Sequence, residues 1–114
     1  MKDIVGKIVL RDKEYKLYFN LNVMETIQDE YGSVDKWAEL TDGASGEPNA
    51  KAVIFGLTAM INEGIEAAND DNGTDTPLLT HKQIGRYVSE TGLENVTGIL
   101  NETISKSVET AEKN

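Results

Sequence analysis

The chain has 114 residues, a formal net charge of −9, and 39% hydrophobic against 27% charged residues. This length suits one domain with a core of its own, so we expect a single globular domain over residues 1–114. The acidity argues against a nucleic-acid partner and against an anionic membrane surface, because both attract clusters of Lys and Arg. The chain has no cysteine, which excludes a thiol nucleophile, a thiolate metal site and any disulfide.

The residue pattern at the start of the chain predicts a β-hairpin over about residues 4–19. Residues 7–10 are short and β-branched, and the polar run 11–14 is expected to form the turn. The next five residues alternate, which places Tyr15, Leu17 and Phe19 on one face and Lys16 and Tyr18 on the other. We expect the first face to pack on the helices that follow.

A helical body over about residues 22–112 is predicted from apolar residues spaced three and four apart. Asn22 and Glu25 resemble a capping box that opens the first helix, and Ser33 is expected to cap a short second helix. Residues 50–68 carry a broad apolar face, which indicates the central helix of the core. Gly56 and Gly64 lower its helix propensity, and close approach of another backbone would explain them.

Two polar loops are predicted, the first at residues 41–49 and the second at residues 69–76. The remaining helices are predicted after the second loop. Thr80 and Gln83 form a Thr-x-x-Gln capping box for the fourth helix. A fifth helix begins near Leu93 and carries a narrow apolar stripe that continues to Val108 and Ala111. The predicted fold class is therefore α+β, mostly helical, with about five helices and an N-terminal hairpin.

The residues that could carry chemistry do not form a recognisable catalytic or metal motif. His81 is the only histidine and is expected on the surface near the start of the fourth helix. If Gly73 is aligned with the glycine of a calcium loop, neither the first nor the last position of that loop carries a carboxylate. We therefore interpret Asp70–Gly73 as a solvated loop. Gly43–Gly46 lacks the Lys-Ser/Thr ending of a phosphate loop. We expect a protein that is not an enzyme and that has no cofactor and no metal.

Charge and aromatic residues give weaker signals. Residues 1–22 carry a net charge of +2, so the rest of the chain carries −11. Lysines often protect edge strands, but a basic hairpin on an acidic body also favours self-association or an oriented partner. Trp37, Tyr31 and Phe55 lie on predicted apolar helix faces and are expected in the core. Tyr18 is either an ordinary exposed aromatic residue or a contact residue.

Several short motifs occur in one order along the chain. They are Lys13, Tyr15, Leu17 and Phe19 of the hairpin, then Asn20-Leu21-Asn22, Glu30-Tyr31-Gly32-Ser33, Leu79-Thr80 with Ile84-Gly85, and the Leu93-Glu94-Asn95-Val96 start of the last helix. This order resembles the tail assembly chaperones of long-tailed bacteriophages and prophages, particularly those of Gram-positive hosts. The resemblance covers nearly the whole chain.

The resemblance implies a non-enzymatic protein of the host bacterial cytoplasm that is absent from the mature virion. Its partners would be the tape measure protein, which it keeps soluble, and the tail tube protein, which it helps to recruit. We expect the client to contact Lys16 and Tyr18 of the hairpin together with the C-terminal stripe, which comprises Leu93, Val96, Leu100 and Ile104. For the first half of that stripe, an ordinary role in the core is the competing interpretation.

Two other functions remain open on the sequence alone. The first is a structural virion part, such as a head-tail connector or tail completion protein. The second is a small regulatory or antitoxin-like binding protein. Presence in purified virions would favour the first, and a neighbouring toxin gene would favour the second.

Overall fold

The computed structural model describes residues 4–42 and 47–113, and the side chains of residues 6–42 and 47–105. This part of the chain forms an N-terminal hairpin followed by helices, which confirms the predicted α+β, mostly helical fold. The elements in chain order are β1 Ile4–Leu10, β2 Lys13–Phe19, α1 Leu21–Tyr31, α2 Val34–Thr41, α3 Ala50–Asn72, α4 His81–Thr91 and α5 Leu93–Lys113.

The hairpin turn is tighter than predicted. Only Arg11 and Asp12 lie between the strands, and both have positive φ, 52° and 62°. This is the two-residue turn whose twist matches that of the strands. Lys13 and Glu14, which we predicted in the turn, belong to β2 and pair with Leu10 and Val9. The prediction that the whole polar run 11–14 forms the turn was wrong, because polarity alone does not distinguish a turn from the exposed end of a strand.

The hairpin packs one face on the helices, as predicted. Leu17 and Phe19 are buried, together with Ile8 and Leu10 of β1, and Tyr15 packs against the same core. Helix α3 crosses this face and is the central helix. Its buried residues are Ala52, Val53, Gly56, Leu57, Met60, Ile61 and Gly64. Every strand and helix contributes to this one hydrophobic cluster.

The two α3 glycines mark close contacts, as the sequence indicated. A Cβ on Gly56 would overlap the indole ring of Trp37, and one on Gly64 would lie 2.9 Å from the Lys16 carbonyl oxygen. Trp37 is fully buried, while Tyr31 and Phe55 are partly buried and meet edge to face at 5.5 Å between ring centroids. The expected core positions of these three aromatic residues are confirmed.

Helix caps agree with the sequence except at α1. Ser33 caps α2, and Thr80 with Gln83 forms the capping box of α4. Helix α1 begins at Leu21, two residues earlier than a helix capped by Asn22 would, so its cap is Asn20. The Asn20 side chain accepts a 3.2 Å hydrogen bond from Val23 N. The prediction of Asn22 as the cap was wrong. Asn22 is an exposed residue of the first turn of α1, and its side chain donates a hydrogen bond to the Glu63 carboxylate.

Both predicted loops are shorter than expected. Helix α3 continues through Asn72 and ends at Gly73, which has the left-handed conformation typical of a helix C-cap (φ 63°). Thr41 is buried in the last turn of α2, and residues 43–46 of the first loop lie outside the described part. The stripe residues Val108 and Ala111 belong to α5, but their side chains lie outside those described.

Candidate functional site

An open apolar groove lies between β2 and α3. The two elements meet at Gly64, which contacts the Lys16 carbonyl, and the groove opens from there toward the hairpin turn. We call it the β2–α3 groove. Its lining comprises Lys13, Glu14, Tyr15 and Lys16 of β2, Ile61, Gly64, Ile65, Ala68 and Asn69 of α3, and Thr76, Pro77 and Leu79 of the segment before α4.

The groove is large enough to receive a side chain of a partner. Its volume is about 260 Å³, which is just below the range of roughly 300–1,000 Å³ that is typical of pockets for drug-sized ligands. Tyr15, Ile65 and Leu79 are each half-buried there and pack against the core. A groove of this size and lining can receive one or two large apolar side chains of a partner.

Two asparagines of α3 hold the third wall in place. Asn62 accepts a 2.9 Å hydrogen bond from Leu79 N and donates one of 2.8 Å to Leu79 O. Asn69, two turns later, makes the same pair of bonds with Thr76, both at 3.0 Å. The segment from Thr76 to Leu79 is therefore held along α3 and forms the third wall of the groove. The prediction of a polar loop at residues 69–76 missed this wall, because the sequence shows the two asparagines seven positions apart but not their partners, Leu79 and Thr76.

Lysines form the rim of the groove. The Lys13 ammonium lies 5.4 Å from the centre of the Tyr15 ring. Lys16 is exposed and faces Lys7 directly across the hairpin, an arrangement of like charges that is unfavourable. Lys7 is paired with Glu14 at 3.4 Å. Burial, followed by the proximity of Tyr87, raises the pKa of the Tyr15 phenol, so this ring stays neutral at physiological pH.

The hairpin turn is fixed to α4. The Arg11 guanidinium donates two hydrogen bonds to the Glu90 carboxylate, at 2.7 and 3.3 Å, and lies 4.7 Å from the centre of the Tyr87 ring. The hydrogen bond from Arg11 lowers the pKa of Glu90, and the same bond raises the pKa of Arg11. These contacts hold the end of the hairpin that forms the mouth of the groove.

The six residues predicted to contact a partner do not form one surface. Lys16 lines the groove, and Tyr18 is half-buried beside Gly64. Leu93 is half-buried in another cleft, with Glu47, Pro48, Gly92, Glu94 and Asn95, that has no lining residue in common with the groove. Ile104 is half-buried and packs against the core.

Val96 and Leu100 require a correction. Both are 0% exposed and belong to the hydrophobic core. Their side chains are covered by the rest of the protein, so they cannot form a surface for a client in the folded state. Val96 of the first half of the C-terminal stripe has the ordinary role in the core that was its competing interpretation, and Leu100 of the second half has the same role.

The residues that could carry chemistry lie apart from the groove. His81 is exposed at the first position of α4, as predicted. Gly73 of the acidic stretch Asp70–Gly73 is the C-cap of α3. Among the described residues, no group of three or more His, Cys, Asp or Glu side chains is placed to hold a metal ion. Within the same residues, no helix combines the length and apolar character needed to cross a membrane.

Comparison with other proteins gives no relative. No protein-family model, curated protein or solved structure matches the chain.

Proposed function

We propose that this protein is a tail assembly chaperone of a long-tailed bacteriophage or prophage. It binds the tape measure protein, keeps it soluble and helps to recruit tail tube subunits to it. The order of short motifs from Lys13 to Val96, which resembles that family, is the reason for naming this function.

The observation that carries the proposal is the β2–α3 groove. A long helical client exposes apolar side chains before the tail is assembled, and an apolar groove covers such side chains by receiving one helix face. Ile65 and Leu79 offer that apolar surface while the hairpin keeps the groove open to solvent on one side. The charge of −9 keeps a complex with an apolar client dispersed, because like-charged particles repel.

Co-expression tests the proposal directly. The tape measure protein encoded in the same tail gene cluster is produced with and without this chain, and its soluble fraction and co-purification are measured. We expect soluble tape measure protein, and its capture together with tail tube subunits, only when the chain is present. A tape measure protein that is equally insoluble with the chain and is not captured by it would overturn the proposal.

The same function predicts where the protein is found. A chaperone acts in the host bacterial cytoplasm and is released before the particle is complete. Mass spectrometry of purified virions should therefore detect tail tube and tape measure peptides but none from this chain. Stoichiometric amounts in the virion would instead favour the structural alternatives, a connector or tail completion protein.

A further inference from the structure

The shape of the β2–α3 groove selects the kind of segment that it can receive. In a two-residue hairpin the pair next to the turn, Leu10 and Lys13, is hydrogen-bonded. The backbone groups of Glu14 and Lys16 therefore point away from β1, toward the free edge of β2. At Lys16 that edge is already covered, because its carbonyl lies against Gly64. Of these two residues only Glu14 keeps a free edge, which is too short for an added strand. An amphipathic helix that inserts apolar side chains is the recognition mode that suits an apolar groove of this kind.

The charges at the rim select the chemistry of that helix. The chain has 20 acidic residues against 11 basic ones, yet in the described part neither Lys13 nor Lys16 has a carboxylate partner. Lys16 also faces Lys7. A carboxylate from a partner would relieve this repulsion between like charges. Glu14, the carboxylate in the groove lining, is already paired with Lys7 at 3.4 Å. The rim therefore complements an acidic segment and disfavours a basic one.

The spacing of the two lysines gives the register. They are three residues apart on a strand, roughly 10 Å, which is close to the rise of about 10.5 Å over seven residues of an α-helix. The two side chains leave opposite faces of β2 and so flank its free edge, and each ammonium sits on a flexible four-carbon stem. Both lysines can therefore reach carboxylates at positions i and i+7 of a helix that lies along that edge. Residues i+3 and i+4 of the same helix lie between them and face the groove.

We infer that the β2–α3 groove binds an acidic amphipathic helix. Large apolar side chains at i+3 and i+4 enter between Tyr15, Ile65 and Leu79, and carboxylates at i and i+7 pair with Lys13 and Lys16. This inference rests on the proposed function in that the helix is a segment of the client, and it adds where the client binds and what its sequence must contain.

A peptide titration tests the inference independently of the client. The probes are two fluorescein-labelled 18-residue helical peptides with Leu at i+3 and i+4, one with Glu and one with Lys at i and i+7. Fluorescence anisotropy should show that the wild-type protein binds the Glu peptide and that this binding weakens as salt rises. We expect about tenfold weaker binding of the Lys peptide, since each exposed ion pair changes affinity by at most roughly fivefold.

Charge reversal and groove filling identify the site. Lys13→Glu with Lys16→Glu should exchange the preference between the two peptides, and Ala68→Trp should block both because it fills the groove. The matched controls are Lys36→Glu with Lys82→Glu, which changes the net charge equally, and Ala50→Trp at another exposed alanine of α3. Circular dichroism establishes that each variant is folded.

The outcomes separate this inference from the proposed function. Equal binding of both peptides, no binding of the Glu peptide, or equal weakening by the control variants would overturn the inference. Capture of the tape measure protein by the wild type and, undiminished, by the Lys13→Glu, Lys16→Glu variant would also overturn it, while leaving the chaperone function in place. Loss of capture by that variant alone would support both.

Discussion

Trp37 of α2 lies directly against Gly56 of α3, at a point where the backbone has room for no side chain but a hydrogen. The indole Nε1 donates a 2.8 Å hydrogen bond to the Ala52 carbonyl, and the ring stacks at 6.5 Å from Phe19 of the hairpin. One fully buried side chain thus joins α2, α3 and β2. The close approach depends on the glycine, because a methyl group there would overlap the ring.

Replacement of Gly56 by Ala should therefore destabilise the protein despite the better helix propensity of Ala. Displacing a packed Trp typically costs about 1–3 kcal/mol, which outweighs the gain of roughly 1 kcal/mol in propensity. Urea unfolding followed by Trp fluorescence measures the free energy of unfolding. Gly98→Ala on the exposed side of α5 is the control: its Cβ meets nothing within 4 Å, so this variant should be equally or more stable than wild type. A Gly56→Ala variant as stable as Gly98→Ala would contradict the packing described.

The contrast between these glycines shows how far the sequence could predict the fold. Gly56 and Gly64 interrupt a strong apolar helix pattern, so close contacts were predictable, but the identity of their partners, Trp37 and the Lys16 carbonyl, was not. The hairpin turn was misplaced because Arg11-Asp12 lacks the Asn-Gly type of signal that marks a two-residue turn. The helix α3 was predicted too short because its last residues are polar, and only the conformation of Gly73 ends it.

The groove could not be predicted in the same way. Its lining comes from β2, α3 and the segment before α4, which are distant in sequence, and the sequence pattern gives no distance between them. What the sequence did contain was the alternation that places Lys16 and Tyr15 on opposite faces of β2. The prediction that Leu100 contacts a partner failed because a narrow apolar stripe has the same spacing whether it faces a client or the core.

The two asparagines at the start of α1 should differ in their effect on stability. Asn20 is nearly buried, caps α1 and donates a 2.8 Å hydrogen bond to Glu63, whereas Asn22 is exposed. Asn20→Ala should lower the free energy of unfolding by about 1–2 kcal/mol, the usual cost of a lost N-cap. Asn22→Ala should change it by less than about 0.5 kcal/mol, as exposed substitutions do. Chemical denaturation measures the free energy of unfolding of both variants. A larger loss for Asn22→Ala than for Asn20→Ala would show that Asn22 is the cap.

The asparagine bonds that hold the groove wall can be tested by hydrogen exchange. In Asn62→Ala the amide of Leu79 loses its acceptor, and in Asn69→Ala the amide of Thr76 loses its own. We expect each variant to exchange faster at its own amide, with a stability loss of about 1–3 kcal/mol for the half-buried Asn62 site. Asn72→Ala, an exposed residue at the end of the same helix, should leave both amides unchanged. Protection that persists in Asn62→Ala would show that other contacts hold the wall.

The Arg11–Glu90 pair predicts a pH-dependent contribution to stability. The folded-state pKa of Glu90 lies below its ordinary value of 4.5 because Arg11 donates to the carboxylate. A lowered folded-state pKa means that the contribution is complete above about pH 4.5 and disappears as the pH falls through the folded-state value. Glu90→Gln should therefore melt at a lower temperature than wild type at pH 7, and the difference should shrink below about pH 4. Glu39→Gln, an exposed residue of α2, is the control, and a Glu90→Gln difference independent of pH would contradict the ion pair.

The burial of α5 residues determines how partner binding can be tested. Leu100 is fully buried and Leu78 is 46% exposed, so Leu100→Ala should cost about 2–5 kcal/mol of unfolding free energy, while Leu78→Ala should cost less than about 1 kcal/mol. A charged residue at position 100 would be worse, because an unpaired buried carboxylate has no compensation. Loss of client binding in Leu100→Asp would therefore report unfolding and not a lost contact. If urea titration instead shows Leu100→Ala to be as stable as Leu78→Ala, α5 does not pack as described and its stripe again becomes a candidate contact surface.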